Sequence, residues 1–119
     1  AEAGVDGISG PTPGGRPPAT RVAPLPALPA VVAEAGSMTI MMDGGVRRGT
    51  DVLKALALGA KFVFIGRPFL YAAAIGGADG VRHAVSLLRD EISRDMAMLG
   101  ISSLDQMKRE LLVPASGPL

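Results

Sequence analysis

The 119-residue sequence contains no cysteine and no tryptophan, and it has a single histidine. Without cysteine there can be no disulfide and no thiolate zinc site, and one histidine with scattered carboxylates predicts no metal site of another kind. No apolar run reaches the ~20 residues that cross a bilayer, and no signal peptide is apparent. The net charge is +1 and aromatic residues make up 3%, so the basic, aromatic surface of a nucleic-acid-binding protein is missing. The absence of cysteine permits a reducing compartment, and a cytoplasmic location is expected.

What the sequence does have is an alternation of short apolar runs and helix-type segments. The apolar runs predict strands over residues 5–8, 39–42 and 62–65. Helical spacing predicts helices over residues 28–36, 50–58, 68–75, 78–99 and 103–114. The prolines between residues 9 and 26 predict a loop. Strands that alternate with helices through short links favour a parallel sheet, so the predicted fold class is α/β.

Local signals predict where several of these helices begin and end. Pro29 suits the first turn of the first helix, and Thr50 is the predicted N-cap of the second. The pair Gly76-Gly77 is predicted to end one helix before the longest helix begins. Ser103 and Gln106 have the spacing of a capping box, which predicts a regular last helix up to Pro114.

The most informative motif is Asp43-Gly44-Gly45-Val46-Arg47, followed one β/α unit later by Gly66-Arg67-Pro68. Both segments come directly after a predicted strand. Glycine lets backbone N–H groups approach an anion, and the arginine guanidinium binds phosphate through a fork of donors. In a β/α barrel the loops after the last two strands form the usual phosphate site. An isolated Gly-Gly-x-Arg would more often be an ordinary turn with solvated arginines, but the pairing of two such loops favours a phosphate-bearing cofactor.

The same residues resemble the FMN-dependent α-hydroxy-acid oxidases and dehydrogenases, a family that includes glycolate oxidase, lactate oxidase and mandelate dehydrogenase. The resemblance extends over residues 4–112 and is specific over residues 43–70. It implies the last three β/α units of a TIM (β/α)8 barrel, with residues 1–119 as a partial FMN-binding domain from a longer chain. The missing N-terminal part of the barrel, or another copy of the chain, would then cover the exposed edges, and a homo-oligomer is expected.

The resemblance also implies roles for individual residues. FMN is the implied cofactor, and the implied cofactor contacts are Asp43, Gly44, Gly45, Arg47, Gly66 and Arg67. Asp43 would lie near the ribityl chain and the other residues near the phosphate, whereas Arg48 is expected to face solvent. His83 is expected on a helix surface and outside the site.

The segment Gly14-Gly15-Arg16 resembles the catalytic motif of the family, with departures at Pro13 and at Pro11-Thr12, where the family has Ser-Asn. There a histidine stands before the two small residues and takes the proton of the α-hydroxyl group, but Pro13 occupies that position here. Proline has no titratable group, so no catalytic base is assigned. Arg16 is either a clamp for the substrate carboxylate or a free surface arginine. A loss of catalysis, an engineered segment and an error in the sequence are all compatible with Pro13.

The function implied by the resemblance is oxidation of an L-2-hydroxy acid, such as lactate, glycolate or mandelate, to the 2-oxo acid. This chain would supply the FMN phosphate site and would be inactive alone. The alternative is a non-catalytic α/β module that binds FMN or phosphate without turnover. A third interpretation is another FMN barrel enzyme with a similar phosphate grip.

Overall fold

The computed structural model describes residues 7–10 and 24–115, and it has the expected α/β order of elements. Three strands and three helices alternate, and two 3₁₀ turns follow them. The strands are β1 (Gly7–Gly10), β2 (Thr39–Asp43) and β3 (Phe62–Phe64). The helices are α1 (Pro24–Ala35), α2 (Gly49–Ala57) and α3 (Arg67–Leu99), and the 3₁₀ turns are Leu104–Gln106 and Arg109–Leu111.

The strands form one parallel sheet in the order β1-β2-β3. Thr39 of β2 pairs with Gly7 of β1, and Asp43 of β2 pairs with Phe64 of β3. Because all three strands run the same way, their carboxyl ends lie at one edge of the sheet. The prediction of a parallel α/β arrangement is confirmed for the described residues.

Alternation along β2 and β3 gives the sheet two unlike faces. Ile40 and Met42 are buried in a core with side chains of α1 and α2, and Val63 packs against the same core. On the opposite face Phe62 is 57% exposed and Phe64 is 43% exposed, with ring centroids 5.1 Å apart. The described helices therefore cover one face of the sheet and leave an apolar strip on the other.

The predicted loop over residues 9–26 is wrong at both ends. Ser9 and Gly10 belong to β1, and α1 begins at Pro24, four residues before the predicted start. Prolines at the start of a helix cost little, because the first N–H groups have no partner within the helix. Pro29 lies inside α1 and not in its first turn, so one helical hydrogen bond is missing there. Residues 11–23 lie outside the described part.

The N-cap of α2 is Arg48, two residues before the predicted Thr50. Thr50 is in the first turn, and its hydroxyl instead donates to Asp95 of α3 at 2.6 Å. Asp51, the third residue of the helix, instead reaches back to the N-cap, and its carboxylate accepts the backbone N–H of Arg48 at 3.1 Å. The helix is fastened to α3 through this first turn.

In the C-terminal half the predicted helix break is present, but the predicted last helix is not. Gly77 has φ 56° and ψ −140°, so helical backbone on its two sides is broken at the predicted position. Ser103 and Gln106 form the predicted capping interaction: the Gln106 side-chain oxygen accepts the Ser103 backbone N–H at 3.0 Å. The element that follows is a 3₁₀ turn and not a regular helix, so the predicted helix over residues 103–114 is wrong.

Candidate functional site

The two glycine- and arginine-bearing loops lie next to each other at the carboxyl edge of the sheet. One loop follows Asp43, the last residue of β2, and the other follows Phe64, the last residue of β3. These two residues are partners in the parallel register. The chain segments that leave them must therefore start side by side, as the sequence predicted.

The first loop turns at two consecutive glycines. Gly44 has φ 88° and Gly45 has φ 75°, a left-handed region that side chains with a Cβ rarely adopt. The next residue, Val46, is 3% exposed and anchors the loop in the core beneath the sheet edge. The glycines thus turn the chain at the sheet edge, and Arg47 follows on an exposed segment.

The amino end of α2 is already occupied by protein carboxylates. Asp51 accepts the backbone N–H of Arg47 at 3.0 Å, and Glu91 of α3 accepts the backbone N–H of Gly49 at 2.7 Å. With the Arg48 bond described above, three consecutive N–H groups donate to carboxylates. They are therefore not open donors for a ligand, although helix amino ends commonly bind anions.

The amino end of α3 is different. Its N-cap is Gly66, which offers no side chain to cap the helix, and Pro68 in the first turn has no N–H. A Cβ placed on Gly66 would meet nothing within 4 Å, so the backbone there is open to a ligand. Of the two helices that follow these loops, α3 presents the free positive end.

The three arginines of the two loops also differ in their partners. Arg48 pairs with Glu91 through Nε at 2.7 Å, although its side chain is 72% exposed. Arg47 and Arg67 are exposed and form no ion pair with any residue of 7–10 or 24–115. Arg48 is exposed, as expected, but the sequence analysis did not predict its ion pair with Glu91. Two guanidinium groups are left available for an anion at this edge.

Other residues singled out in the sequence fall elsewhere. Pro13 and Arg16 lie outside the described residues, so their predicted roles stay predictions. His83 is exposed on α3, as expected. The described ranges bring together no group of three or more metal-ligating side chains and contain no helix long and apolar enough to span a membrane.

Comparison with known proteins decides the family. The sequence matches the family described as FMN-dependent dehydrogenase over residues 1–114, nearly its whole length. The chain belongs to the FMN-dependent dehydrogenase family. FMN is therefore the cofactor whose phosphate is compared with the donors at this edge of the sheet.

Individual relatives agree with this assignment. The chain is 47% identical over 100 residues to L-lactate oxidase of Nostoc sp., covering 83% of this chain and 27% of that protein. It is 50% identical over 95 residues to glycolate oxidase 3 of Oryza sativa subsp. indica, covering 79% and 26%. The structure matches an active mutant of (S)-mandelate dehydrogenase with a TM-score of 0.87 at 35% identity, covering 96% and 32%. The chain thus spans about a quarter to a third of the length of these relatives.

The residues at the sheet edge fit the phosphate end of FMN. A phosphate dianion needs cationic and N–H donors, and the edge offers the guanidinium groups of Arg47 and Arg67 with open backbone at Gly66. Of the two carboxylates near this edge, Glu91 is paired with Arg48, and Asp51 accepts backbone N–H groups of the loop. The donor chemistry is that of an anion cradle.

Proposed function

We propose that this chain supplies the FMN phosphate site of an oxidoreductase that converts L-2-hydroxy acids to 2-oxo acids. The single observation that carries the proposal is the pair of adjacent β/α loops with two unpaired arginines, Arg47 and Arg67, and one uncapped helix amino end. Membership of an FMN-dependent family supplies the cofactor. Relatives named for lactate, glycolate and mandelate supply the substrate class.

Each residue at the edge has a part in holding the cofactor. The guanidinium groups of Arg47 and Arg67 donate to phosphate oxygens, and the backbone N–H groups of Gly45 and Gly66 complete the grip. Gly44 lets the chain turn tightly enough for that approach. Asp43, the last residue of β2, would lie near the ribityl chain. When bound, FMN supplies hydride acceptance, which no amino-acid side chain provides.

The architecture that we propose is the last three β/α units of a TIM (β/α)8 barrel. In such a barrel one face of the sheet packs on helices and the other fills the interior with side chains. The two-faced sheet fits this description, because Phe62 and Phe64 are apolar and exposed on the face away from the helices. The rest of the barrel, or a second copy of the chain in a homo-oligomer, would cover them.

The substrate end of the site depends on residues outside the described ranges. Arg16 is proposed to clamp the substrate carboxylate, and Pro13 occupies the position of the base expected from the family. Proline cannot take the hydroxyl proton, so we infer that a protein with this segment binds FMN better than it turns over substrate. A non-catalytic FMN-binding module is the second candidate, and Pro13 is the observation that favours it. A cytoplasmic location stays a prediction.

The test is flavin binding by arginine variants of the full-length protein. Arg47→Ala and Arg67→Ala should each weaken FMN binding by at least ~1.5 kcal/mol, the low end for a hydrogen bond to a charged group. Riboflavin, which lacks the phosphate, should bind all variants equally. Arg89→Ala removes an exposed arginine from the middle of α3 and is the matched control. Unchanged FMN affinity in both loop variants, measured by fluorescence titration, would refute the assignment.

A further inference from the structure

Glu91 is the one side chain of α3 that reaches both the loop after β2 and the start of α2. One carboxylate oxygen accepts the Arg48 Nε–H at 2.7 Å, and the other accepts the Gly49 backbone N–H at 2.7 Å. The Glu91 side chain is only 23% exposed. Hydrogen bonds to an ionised, partly buried carboxylate are stronger than those between neutral groups, so this is a firm attachment.

The backbones of α2 and α3 also pack tightly at Gly49, next to the hydrogen bonds of Glu91. Gly49 is buried, and a Cβ placed there would lie 2.7 Å from the Glu91 Cβ and 2.7 Å from the Ile92 backbone nitrogen. The first turn of α2 therefore rests directly on the backbone of α3. Movement of α3 at this point would be passed to residues 47–49, and hence to the loop that carries Arg47.

Glu91 also decides which arginine is available to an anion. Without a carboxylate partner the Arg48 guanidinium, next to Arg47 in the chain, would no longer be held against α3. Paired with Glu91, Arg48 is held toward α3, and the N–H of Gly49 is satisfied by the same group. A negative charge close to a phosphate site would by itself weaken binding, so its presence here requires an advantage in geometry.

We propose that Glu91 is a positioning residue for the FMN phosphate grip, acting through Arg48 and Gly49 to hold the loop after β2. This inference rests on the proposed function, because Glu91 would position a loop of the proposed FMN phosphate site. Glu91 touches neither cofactor nor substrate in this role. Its effect is to hold Arg48 and Gly49 against α3 and so to fix the backbone of the loop that carries Arg47.

Whether FMN affinity rises or falls in two variants distinguishes a positioning role of Glu91 from an effect of its charge alone. Removing the negative charge with Glu91→Gln should raise affinity for the phosphate if only charge matters, whereas Arg48→Gln should lower it. If positioning dominates, both variants lower affinity, because each breaks the same link. Glutamine keeps the size of the side chain and one acceptor for the Gly49 N–H, and Arg48 is largely exposed, so both variants should fold.

The experiment is titration of the full-length protein with FMN and, separately, with riboflavin. We expect both variants to reduce the FMN-over-riboflavin preference by at least about threefold, within the range of couplings measured inside one hydrogen-bond network. The double variant should be no worse than the worse single variant. Asp90→Asn and Arg89→Gln make the same charge changes at exposed neighbouring positions of α3, and should leave the preference unchanged.

The other outcomes overturn the proposal in distinguishable ways. If Glu91→Gln raises the FMN-over-riboflavin preference and Arg48→Gln lowers it, Glu91 acts by charge alone. A lowered melting temperature with an unchanged preference would mean that Glu91 supports the fold and not the grip. If the unmodified protein itself shows no preference for FMN over riboflavin, the proposed phosphate site fails and this inference fails with it.

Discussion

Adding a single methyl group at Gly49 tests the contact between α2 and α3 more directly than any charge change. The Cβ of alanine would lie 2.7 Å from the Glu91 Cβ, 2.7 Å from the Ile92 nitrogen and 3.0 Å from the Glu91 carbonyl carbon. Two of these three atoms belong to the backbone of α3, so no side-chain rotation relieves the overlap. The helices must separate for Gly49→Ala to fit.

The cost follows from two terms. Extra carbon in a tightly packed contact destabilises proteins by ~1–3 kcal/mol. Separation also lengthens the 2.7 Å hydrogen bond from the Gly49 N–H to the Glu91 carboxylate. An intact hydrogen bond to a charged group contributes ~1.5–3 kcal/mol. The better helix propensity of alanine offsets up to ~1 kcal/mol of this loss. We expect a net loss of at least about 1.5 kcal/mol in the free energy of unfolding.

The assay is urea unfolding of the full-length protein, with Gly76→Ala as the matched control. Gly76 lies in α3, its φ is not positive, and a Cβ there meets nothing within 4 Å. The control should therefore be neutral or stabilise the protein by up to ~1 kcal/mol. A Gly49→Ala protein whose stability lies within ~0.5 kcal/mol of the parent, the range typical of an unconstrained surface change, would refute the contact.

Two further predictions concern the barrel and the catalytic segment. A polypeptide limited to these 119 residues should self-associate, because Phe62 and Phe64 leave an apolar strip uncovered; a compact monomer with a cooperative melt in sedimentation and circular dichroism would contradict the partial barrel. Pro13→His in the full-length protein should speed anaerobic flavin reduction by lactate, glycolate or mandelate by ~10²–10⁴-fold in stopped-flow measurements. Equal rates before and after the change would mean that this position does not carry the base.

The parallel sheet and the placement of the two loops were predictable from local signals. Short apolar runs ending in glycine mark strand ends, and parallel strands bring those ends to one edge whatever the details of the helices. Asp43 and the residues after Phe64 therefore had to meet. The capping by Asp51 has no such signal, because Arg48 stands where the sequence signature of a capping box has serine or threonine.

The departures have physical causes that local patterns do not carry. The prolines before Leu28 were interpreted as marks of a loop, yet at Pro24 proline removes an N–H that no helical bond uses. The partnership of Glu91 with Gly49 joins residues 42 positions apart and leaves no periodic trace. Only the packing of α3 on α2 creates it. Sequence patterns found the arginines, but the carboxylate that distinguishes Arg48 from Arg47 required the structure.

Cofactor binding and turnover are assigned to different segments of the chain, so they can be measured separately. The proposed phosphate grip lies on the loops after β2 and β3, whereas the segment with Pro13 follows β1 in the sequence. We predict that a substitution at residue 13 changes proton transfer and leaves flavin binding unchanged. Flavin retained by the purified protein would support the phosphate assignment without showing catalysis. Only reduction of that bound flavin by a 2-hydroxy acid separates an enzyme from a binding module.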